Sequence, residues 1–512
     1  MAVLGYKMFL WLSLSSIKVL TGHCPGEYNG QYDKVNAMKN KRRTKAPILI
    51  YPVAALLIVT GYSLACAEVS QEPLEAFKKG ERVLILAPHP DDEAIACAGV
   101  IQEALSSQAK VKVALLTNGE HNEFAFIVYE KRITFRKNEF IHMGDVRRQE
   151  SIKAMSVLGL KSEDLIFLGY PDFGTFSIFA KYWSQERPYR SWLTRISDVP
   201  YDEAVSPGAE YLGENILKDL EQVILEYKPD KIFVSHPFDV NVYHKSLYLF
   251  LQVALADLKG KFPSPKVYPY LVHHRGWPLP RHYHPKLKLG PPKGMSESGI
   301  QWFRFELSPE QQDKKHKAIL CYKSQTESSA FYLLAFARSN ELFGEYPVVN
   351  LGSQPRALGK NTFFLGLSRF FQVPGPEDDP AGNNIDIDLG QVTYGLSGES
   401  LLVKINKPQH LIYRFFTMTY LFGYSYSKPF ADMPKIRVVT KHDDFRVFDG
   451  KEMIKTGAAS LELGDKELTL KIPLGLLGNP DFILTSTNSY TGKEEGMDSA
   501  VYTSGFRRIN IN

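Results

Sequence analysis

The sequence predicts a doubly wound, Rossmann-like parallel α/β domain followed by an all-β domain, and three observations lead there. Short apolar runs end in turn residues at Arg82–Ala87 (RVLILA), Lys110–Thr117 (KVKVALLT) and Lys231–Ser235 (KIFVS), the texture of strands buried on both faces. Segments of helical periodicity lie between them, at Glu93–Ser107, Arg147–Leu158 and Gly213–Tyr227, with Asp164–Leu168 as one more strand. Strand alternating with helix is the pattern of a parallel sheet covered on both sides. Near residue 350 the texture changes: Pro and Gly become frequent and short alternating segments appear. They fall at Asn384–Leu389, Ser400–Ile405, Lys435–Thr440, Glu467–Ile472 and Asp481–Thr485. The expected organisation is an α/β domain over 78–349 and a β-sandwich over 350–512. The Pro-rich stretch 262–293 reads as a long loop or lid.

At 512 residues the chain exceeds one ordinary domain, and 44% hydrophobic with 23% charged residues is a globular composition. The net charge of +5 is misleading. Residues 1–67 hold eight Lys/Arg and two Asp/Glu, so residues 68–512 carry 53 basic and 54 acidic groups, a net of −1. A near-neutral body without a basic stripe argues against nucleic acid as the partner.

The N-terminal segment reads as targeting. Lys39, Lys41, Arg42, Arg43 and Lys45 precede an apolar run from Ile48 to Ala65, and Ala65-Cys66-Ala67 follows. Basic, apolar and small-residue stretches in that order make a secretory signal over 38–67, with cleavage after Ala67. The alternative is an uncleaved anchor, with residues 46–65 in the membrane. Either way the expectation is an exported protein (periplasmic, cell-surface or secreted) or a membrane-anchored one. Residues 1–37 read as an extension upstream of a better start at Met38. Of Cys24, Cys66, Cys97 and Cys321, only the last two would survive cleavage, so no disulfide framework is expected.

The chemistry concentrates at Pro88-His89-Pro90-Asp91-Asp92-Glu93, a strand-to-helix junction. Two adjacent carboxylates beside an imidazole repel unless something compensates, and a divalent cation is the simplest compensation. His and Asp are ligands that Zn²⁺ accepts, and a catalytic zinc takes three protein ligands with one open position. The third ligand should come from another strand end. Ser235-His236-Pro237-Phe238-Asp239-Val240-Asn241-Val242-Tyr243-His244 follows the KIFVS strand and offers two histidines and a carboxylate.

At this point the chain resembles a known family. The strand-AxHPDDE pattern, Thr117-Asn118-Gly119, Arg147-x-x-Glu150, Gly169-Tyr170-Pro171-Asp172, His244, Tyr322-x-Ser324-Gln325 and Asn340-Glu341-x-Phe343 together look like the PIG-L (LmbE-like) N-deacetylases. The resemblance implies Zn²⁺ held by His89, Asp92 and His244, with Asp91 as general base, and a substrate carrying an N-acetylglucosaminyl group. It also implies substrate-side roles for Arg147 and Asp172, beside Asn118 at its strand end. One departure concerns the proton donor. Many relatives carry a histidine three residues before the last ligand, where this chain has Asn241, so Asn241 is expected as an oxyanion donor and His236 as a substitute acid.

The function expected is removal of the N-acetyl group from an N-acetylglucosamine-type sugar in a glycan or glycoconjugate. The alternatives are hydrolysis of another acyl amide, or an inactive carbohydrate-binding or envelope scaffold. Iron also suits this ligand set. Structural readings accompany several residues. Arg147 and Glu150 can pair on a helix face, and His273, His274, His282 and His284 read as solvated loop. Phe415, Phe416, Tyr420, Phe422, Tyr424 and Tyr426 could stack on sugar rings through the C-terminal domain or simply fill its core.

Overall fold

The computed structural model describes residues 70–121, 136–184, 187–292, 295, 299–351, 364–365, 392–406, 415–441, 444–455, 457–464, 467–491 and 500–511. The targeting segment, Cys24, Cys66, the side chain of Phe415 and the strand expected at Asn384–Leu389 lie outside what is described. Among the described residues no helix is long and apolar enough to cross a membrane.

The first half is a single eight-stranded sheet. Its strands are β1 (Gln71–Pro73), β2 (Arg82–Ala87), β3 (Lys110–Thr117), β4 (Leu165–Tyr170), β5 (Lys231–Ser235), β6 (Lys266–Tyr270), β7 (Gln301–Glu306) and β8 (Asn340–Glu345). They are arranged β1-β7-β8-β6-β5-β2-β3-β4. The pairs among β4, β3, β2, β5 and β6 are all parallel, whereas β8 runs antiparallel to both β6 and β7. The helices are α1 (Asp92–Ser106), α2 (Lys137–Leu158), α3 (Thr175–Lys181), α4 (Gly213–Tyr227), α5 (Val242–Asp257), α6 (Pro309–Ile319) and α7 (Lys323–Leu333).

Strand β2 explains the two-sided burial. Val83, Ile85 and Ala87 join one core with α1, α2 and α6, while Leu84 and Leu86 join the other with α3, α4 and α5. Both faces are dry, so the strand has no polar side to show. From β2 the chain winds outward through β3 and β4, then returns to build β5 and β6 on the other flank. That reversal between β2 and β5 is the topological switch point, where open α/β sheets bind ligands beyond their strand carboxyl ends.

Two sequence expectations change here. The Pro-rich stretch is not one loop: Lys266–Tyr270 is a strand in full register with β5, and Trp277 and Leu289 are buried in the core. Asn340 holds that segment by accepting from the Leu289 N–H (2.6 Å) and donating to its carbonyl (2.9 Å). Buried Arg338 donates to the Pro280 carbonyl in the same stretch. The sheet also begins before residue 78, because Gln71–Pro73 pairs with β7.

The second half consists of two mainly antiparallel sheets sharing a core, consistent with the expected sandwich. One is β10 (Phe364–Leu365), β11 (Val392–Ser397), β12 (Ser400–Asn406), β18 (Glu467–Pro473) and β17 (Ser460–Leu463). The other is β16 (Glu452–Ile454), β15 (Asp444–Asp449), β14 (Lys435–Lys441), β13 (Phe415–Tyr424), β19 (Phe482–Thr491), β21 (Arg507–Asn510) and β9 (Val349–Asn350), with β20 (Ala500–Thr503) on β19. Leu401, Val403, Ile405, Leu468, Leu470 and Ile472 face Leu421, Ile436, Val438 and Ile483 across that core.

The outer face of the larger sheet is not solvated. Phe422, Tyr424, Phe430, Phe482 and Phe506 belong to the same buried cluster as α3 and α5 of the first half. Phe179 lies 5.2 Å from Phe422 and 5.5 Å from Phe430, ring centre to ring centre, and Trp183 lies 4.8 Å from Phe430. Tyr424 also donates to Asp257 at 2.6 Å. Phe422 and Tyr424, read from the sequence as sugar-stacking candidates, therefore cover the first half instead. A shared core of this kind predicts that both halves melt together. Phe430→Ala is expected to cost about 3–5 kcal/mol and to lower a single calorimetric transition. A variant that melts the β half separately and leaves the α/β half unshifted would contradict this.

Candidate metal centre

The loop after β2 is held in an unusual shape. Asp91 has φ 121° and ψ −32°, a conformation that side-chain-bearing residues rarely adopt and that costs about 1–3 kcal/mol. Its surroundings fix it there. The Asp91 N–H donates to Glu93 Oε2 at 3.0 Å, and Glu93 Oε1 accepts from Ser151 (2.9 Å) and from Tyr322 (2.5 Å). Arg147 reaches in from α2, donating to the Gly119 carbonyl (2.6 Å) and the Pro90 carbonyl (2.7 Å), with Asp91 Oδ2 at 3.4 Å. Gly119 is required beside it: at φ 68°, an added Cβ would lie 2.2 Å from the guanidinium.

Across the switch point this loop meets the start of α5. His89 Nδ1 lies 3.2 Å from His244 Nε2, and Asp92 Oδ2 lies 3.4 Å from each of those nitrogens. All three side chains are buried or nearly so. A tetrahedral metal with bonds of about 2.0–2.1 Å needs its ligand atoms about 3.3–3.4 Å apart, and this triangle has that spacing. His89, Asp92 and His244 also form a group that could hold a metal ion, with N, O and N as the donors.

Each histidine is backed by a carboxylate on its other nitrogen. His89 Nε2 lies 3.0 Å from Asp172 Oδ1, and His244 Nδ1 lies 3.2 Å from Asp239 Oδ2. The hydrogen bond to Asp172 fixes the His89 tautomer, so that its Nδ1 presents a lone pair inward, and the Asp239 charge beside Nδ1 of His244 favours the matching arrangement with Nε2 inward. Burial by itself would raise the Asp92, Asp172 and Asp239 carboxyls, yet the facing imidazoles hold all three below their ordinary value. Burial opposes charge on His89, but Asp172 and Asp92 outweigh it and push its pKa up to about 10. The cluster thus calls for positive charge at its centre. A proton on His89 could supply it, but a metal ligand must be unprotonated, and a cation satisfies both histidines at once.

The other residues singled out by the sequence fall in different places. Asp172 stands behind His89, and its carboxylate also accepts the Phe173 N–H (2.7 Å) and the His121 N–H (3.3 Å). Arg147 is 4% exposed and braces two backbone loops, which makes it a positioning residue in this geometry. Asn241 caps α5, its side-chain oxygen accepting the Tyr243 N–H at 2.9 Å. Asn118 is fully buried, and among the described residues neither polar atom of its side chain has a partner. His236 is not brought to the triangle: it stacks on Trp302 at 5.9 Å, accepts the Phe238 N–H, and burial lowers its pKa to about 3. Glu150 accepts from Ser324 through both N–H (2.9 Å) and hydroxyl (2.5 Å), so its partner is the start of α7 rather than Arg147.

Sequence reasoning missed Asp239, His273 and Glu93. Asp239 accepts the N–H groups of Asn241 (2.8 Å), Val272 (3.2 Å) and His273 (2.8 Å), which draws two segments together around His244. His273 is not solvated loop; its ring packs edge-on to His244 at 4.7 Å, and burial lowers its pKa to about 4. The C-terminal half touches the same loop. The Phe506 N–H donates to the Pro237 carbonyl at 3.1 Å, and a Cβ at Gly505 would meet Phe238 at 2.8 Å. No local sequence signal marks these contacts, because they join residues far apart in the chain.

One divalent ion per chain is expected, lost in His244→Ala. Asp239→Asn removes the charge behind His244 and should weaken the metal about 10–100-fold, measured by competition with a chromogenic chelator. Wild-type affinity in both variants would place the metal elsewhere.

Residues 84–255 match the family model PIG-L, described as GlcNAc-PI de-N-acetylase. Among solved structures, N,N'-diacetylchitobiose deacetylase from Pyrococcus horikoshii is 16% identical, over 48% of this chain and 70% of that one, with a TM-score of 0.30. The conserved protein TT1542 from Thermus thermophilus is 20% identical, over 52% and 95%, with a TM-score of 0.32. The deacetylase of the antimicrobial A40926 pseudoaglycone is 16% identical, over 52% and 97%, with a TM-score of 0.34. No curated protein matches the chain. Residues 84–255, which hold His89, Asp92, His244 and the two carboxylates behind the histidines, are thus the part of the chain that matches the PIG-L family model.

Proposed function

We propose that the chain is a metal-dependent amide hydrolase that removes the acetyl group from an N-acetyl amino sugar in a glycan or glycoconjugate. The observation that carries this reading is the triangle of His89, Asp92 and His244 at the switch point, with Asp91 held in a strained turn between two of its members. The PIG-L match supports the substrate class, since that family is described as GlcNAc-PI de-N-acetylase. Zinc suits the donors, and a divalent ion there would supply Lewis acidity that activates water and polarises the acetyl carbonyl.

The chain's own residues do the rest. Asp91 takes a proton from the attacking water and passes it to the amine nitrogen as the C–N bond breaks, leaving acetate and a free amine. Arg147 and Glu93 keep Asp91 in place, one from the side-chain side and one through its N–H. Asn241, anchored by its cap bond at the start of α5, is the neutral donor for the developing oxyanion. Asp172 and Asp239 hold the two imidazoles in their ligand tautomers.

The basic, apolar and small-residue order of 39–67 leads us to place the enzyme outside the cytosol, acting on cell-surface or secreted glycan. Recovery of the chain from the cytosol with residues 38–67 retained would overturn that location. For the activity, wild type should release acetate from N-acetylglucosamine oligomers, and chelation should abolish release until zinc is restored. Asp91→Ala should lose about 10²–10⁴-fold in kcat while keeping its metal. A metal-loaded wild type that releases acetate from no sugar amide would refute the assignment.

A further inference from the structure

His273 stands beside the metal triangle without belonging to it. Its ring meets His244 edge-on, 4.7 Å between centres at an interplanar angle of 66°, and the charges of Asp92 and His89 both reach it. The backbone is fixed twice: the His273 N–H donates to Asp239 Oδ2 (2.8 Å), and the His273 carbonyl accepts the Val240 N–H (3.0 Å). Tyr332 then fixes the ring. The Tyr332 hydroxyl donates its proton to the Val272 carbonyl at 2.6 Å, so its oxygen faces His273 Nδ1, 3.1 Å away, as an acceptor. Nδ1 therefore carries the proton, and the lone pair of the neutral ring lies on Nε2. Among the described residues nothing meets Nε2, and the ring is only half-buried.

We propose that His273 Nε2 accepts the N–H of the substrate's acetamido group, so that the site selects an amide over an ester at the same carbon. The proposal rests on the amide-hydrolase reading and deepens it. An acetamido group brings two polar functions into the crevice. Its carbonyl oxygen takes donors, whereas its N–H needs an acceptor and is costly to bury without one. Held by its N–H, the nitrogen keeps one orientation, with its lone pair free to face Asp91 as the C–N bond breaks. No proton passes to His273: the amine leaves with its own N–H and the proton that Asp91 delivers. An ester has an oxygen at this place, whose lone pairs would face the Nε2 lone pair, so repulsion adds to the missing bond.

The other acceptors near the triangle are spent or out of reach. Asp172 and Asp239 stand on the outer nitrogens of the ligand histidines, and Glu93 accepts from Ser151, Tyr322 and the Asp91 N–H. The Asn241 side-chain oxygen holds the Tyr243 N–H. Asn118 and Glu120 keep oxygens without a partner among the described residues, but those atoms are sealed from solvent, whereas Nε2 of His273 is open to it.

The test uses the full chain loaded with zinc and two methyl glycosides as substrates, one of N-acetylglucosamine and one of 2-O-acetylglucose. The kcat/KM ratio of amide to ester should fall about tenfold in His273→Phe, which keeps a ring against His244 but has no acceptor. Tyr332→Phe removes the group that fixes the tautomer, so the ratio should fall there too, by a smaller factor. A ratio equal to wild type in His273→Phe overturns the assignment, even where both substrates slow together, because a ring that merely supports His244 would act on both alike. A second readout does not need hydrolysis. In zinc-loaded Asp91→Ala, the amide glycoside should shift the ¹⁵N resonance of His273 Nε2, identified by its loss on adding His273→Phe, and the ester glycoside should leave it in place. That pattern supports the contact even if wild type cleaves neither substrate, in which case only the hydrolase reading fails. No shift with saturating amide counts against it.

Discussion

Two imidazole nitrogens and a carboxylate oxygen, packed within 3.2–3.4 Å of one another and shielded from water, need positive charge between them. The rest of the first half is arranged to bring that about. Strands β2 and β5 are neighbours in the sheet, and both end at the same edge, so the loops after them deliver His89, Asp92 and His244 from opposite sides of one crevice. The dry faces of those strands make the edge rigid. Asp172 after β4 and Asp239 after β5 then aim the rings. The strain stored at Asp91 is tolerable because Glu93 and Arg147 hold the turn from two directions.

How much of this the sequence reveals depends on the range of each interaction. The strands at Arg82–Ala87, Lys110–Thr117 and Lys231–Ser235, and the helix at Gly213–Tyr227, are legible because burial on both faces and helical periodicity are local signals. His89, Asp91 and Asp92 stand out because like charges crowd together within four residues. Asp239 does not, although it lies in a segment that already invites attention, because its value comes from Val272 and His273, more than thirty residues on. His236 draws notice as a histidine at a strand end, but Trp302 from β7 claims its ring. The Pro-rich stretch hides β6 because Lys266–Tyr270 is only five residues long and contains Pro269.

The signatures late in the first half have a structural reason. Tyr322 donates to Glu93 and Ser324 to Glu150, so the start of α7 ties down both the strained turn and α2. Asn340 pins the segment around Leu289, and buried Glu341 pairs with buried Lys315 at 2.8 Å. These residues act on the site through other residues. The C-terminal half acts in the same way. Its aromatic face fills the side of α3 and α5, and its Gly505-Phe506 turn presses on the loop that carries Asp239 and His244. Composition alone suggests an appended sugar-binding module; the packing makes it part of the wall behind the site.

The central claim is that one metal ion sits at His89, Asp92 and His244, and anomalous diffraction at the zinc edge from crystals of the full chain tests it most directly. The account predicts a single strong peak about 2.0–2.2 Å from His89 Nδ1, Asp92 Oδ2 and His244 Nε2, with Asp172 and Asp239 still on the outer nitrogens. No peak at that point after soaking with zinc, or a peak that recruits Asp172 or Asp239 in place of a histidine, would contradict it.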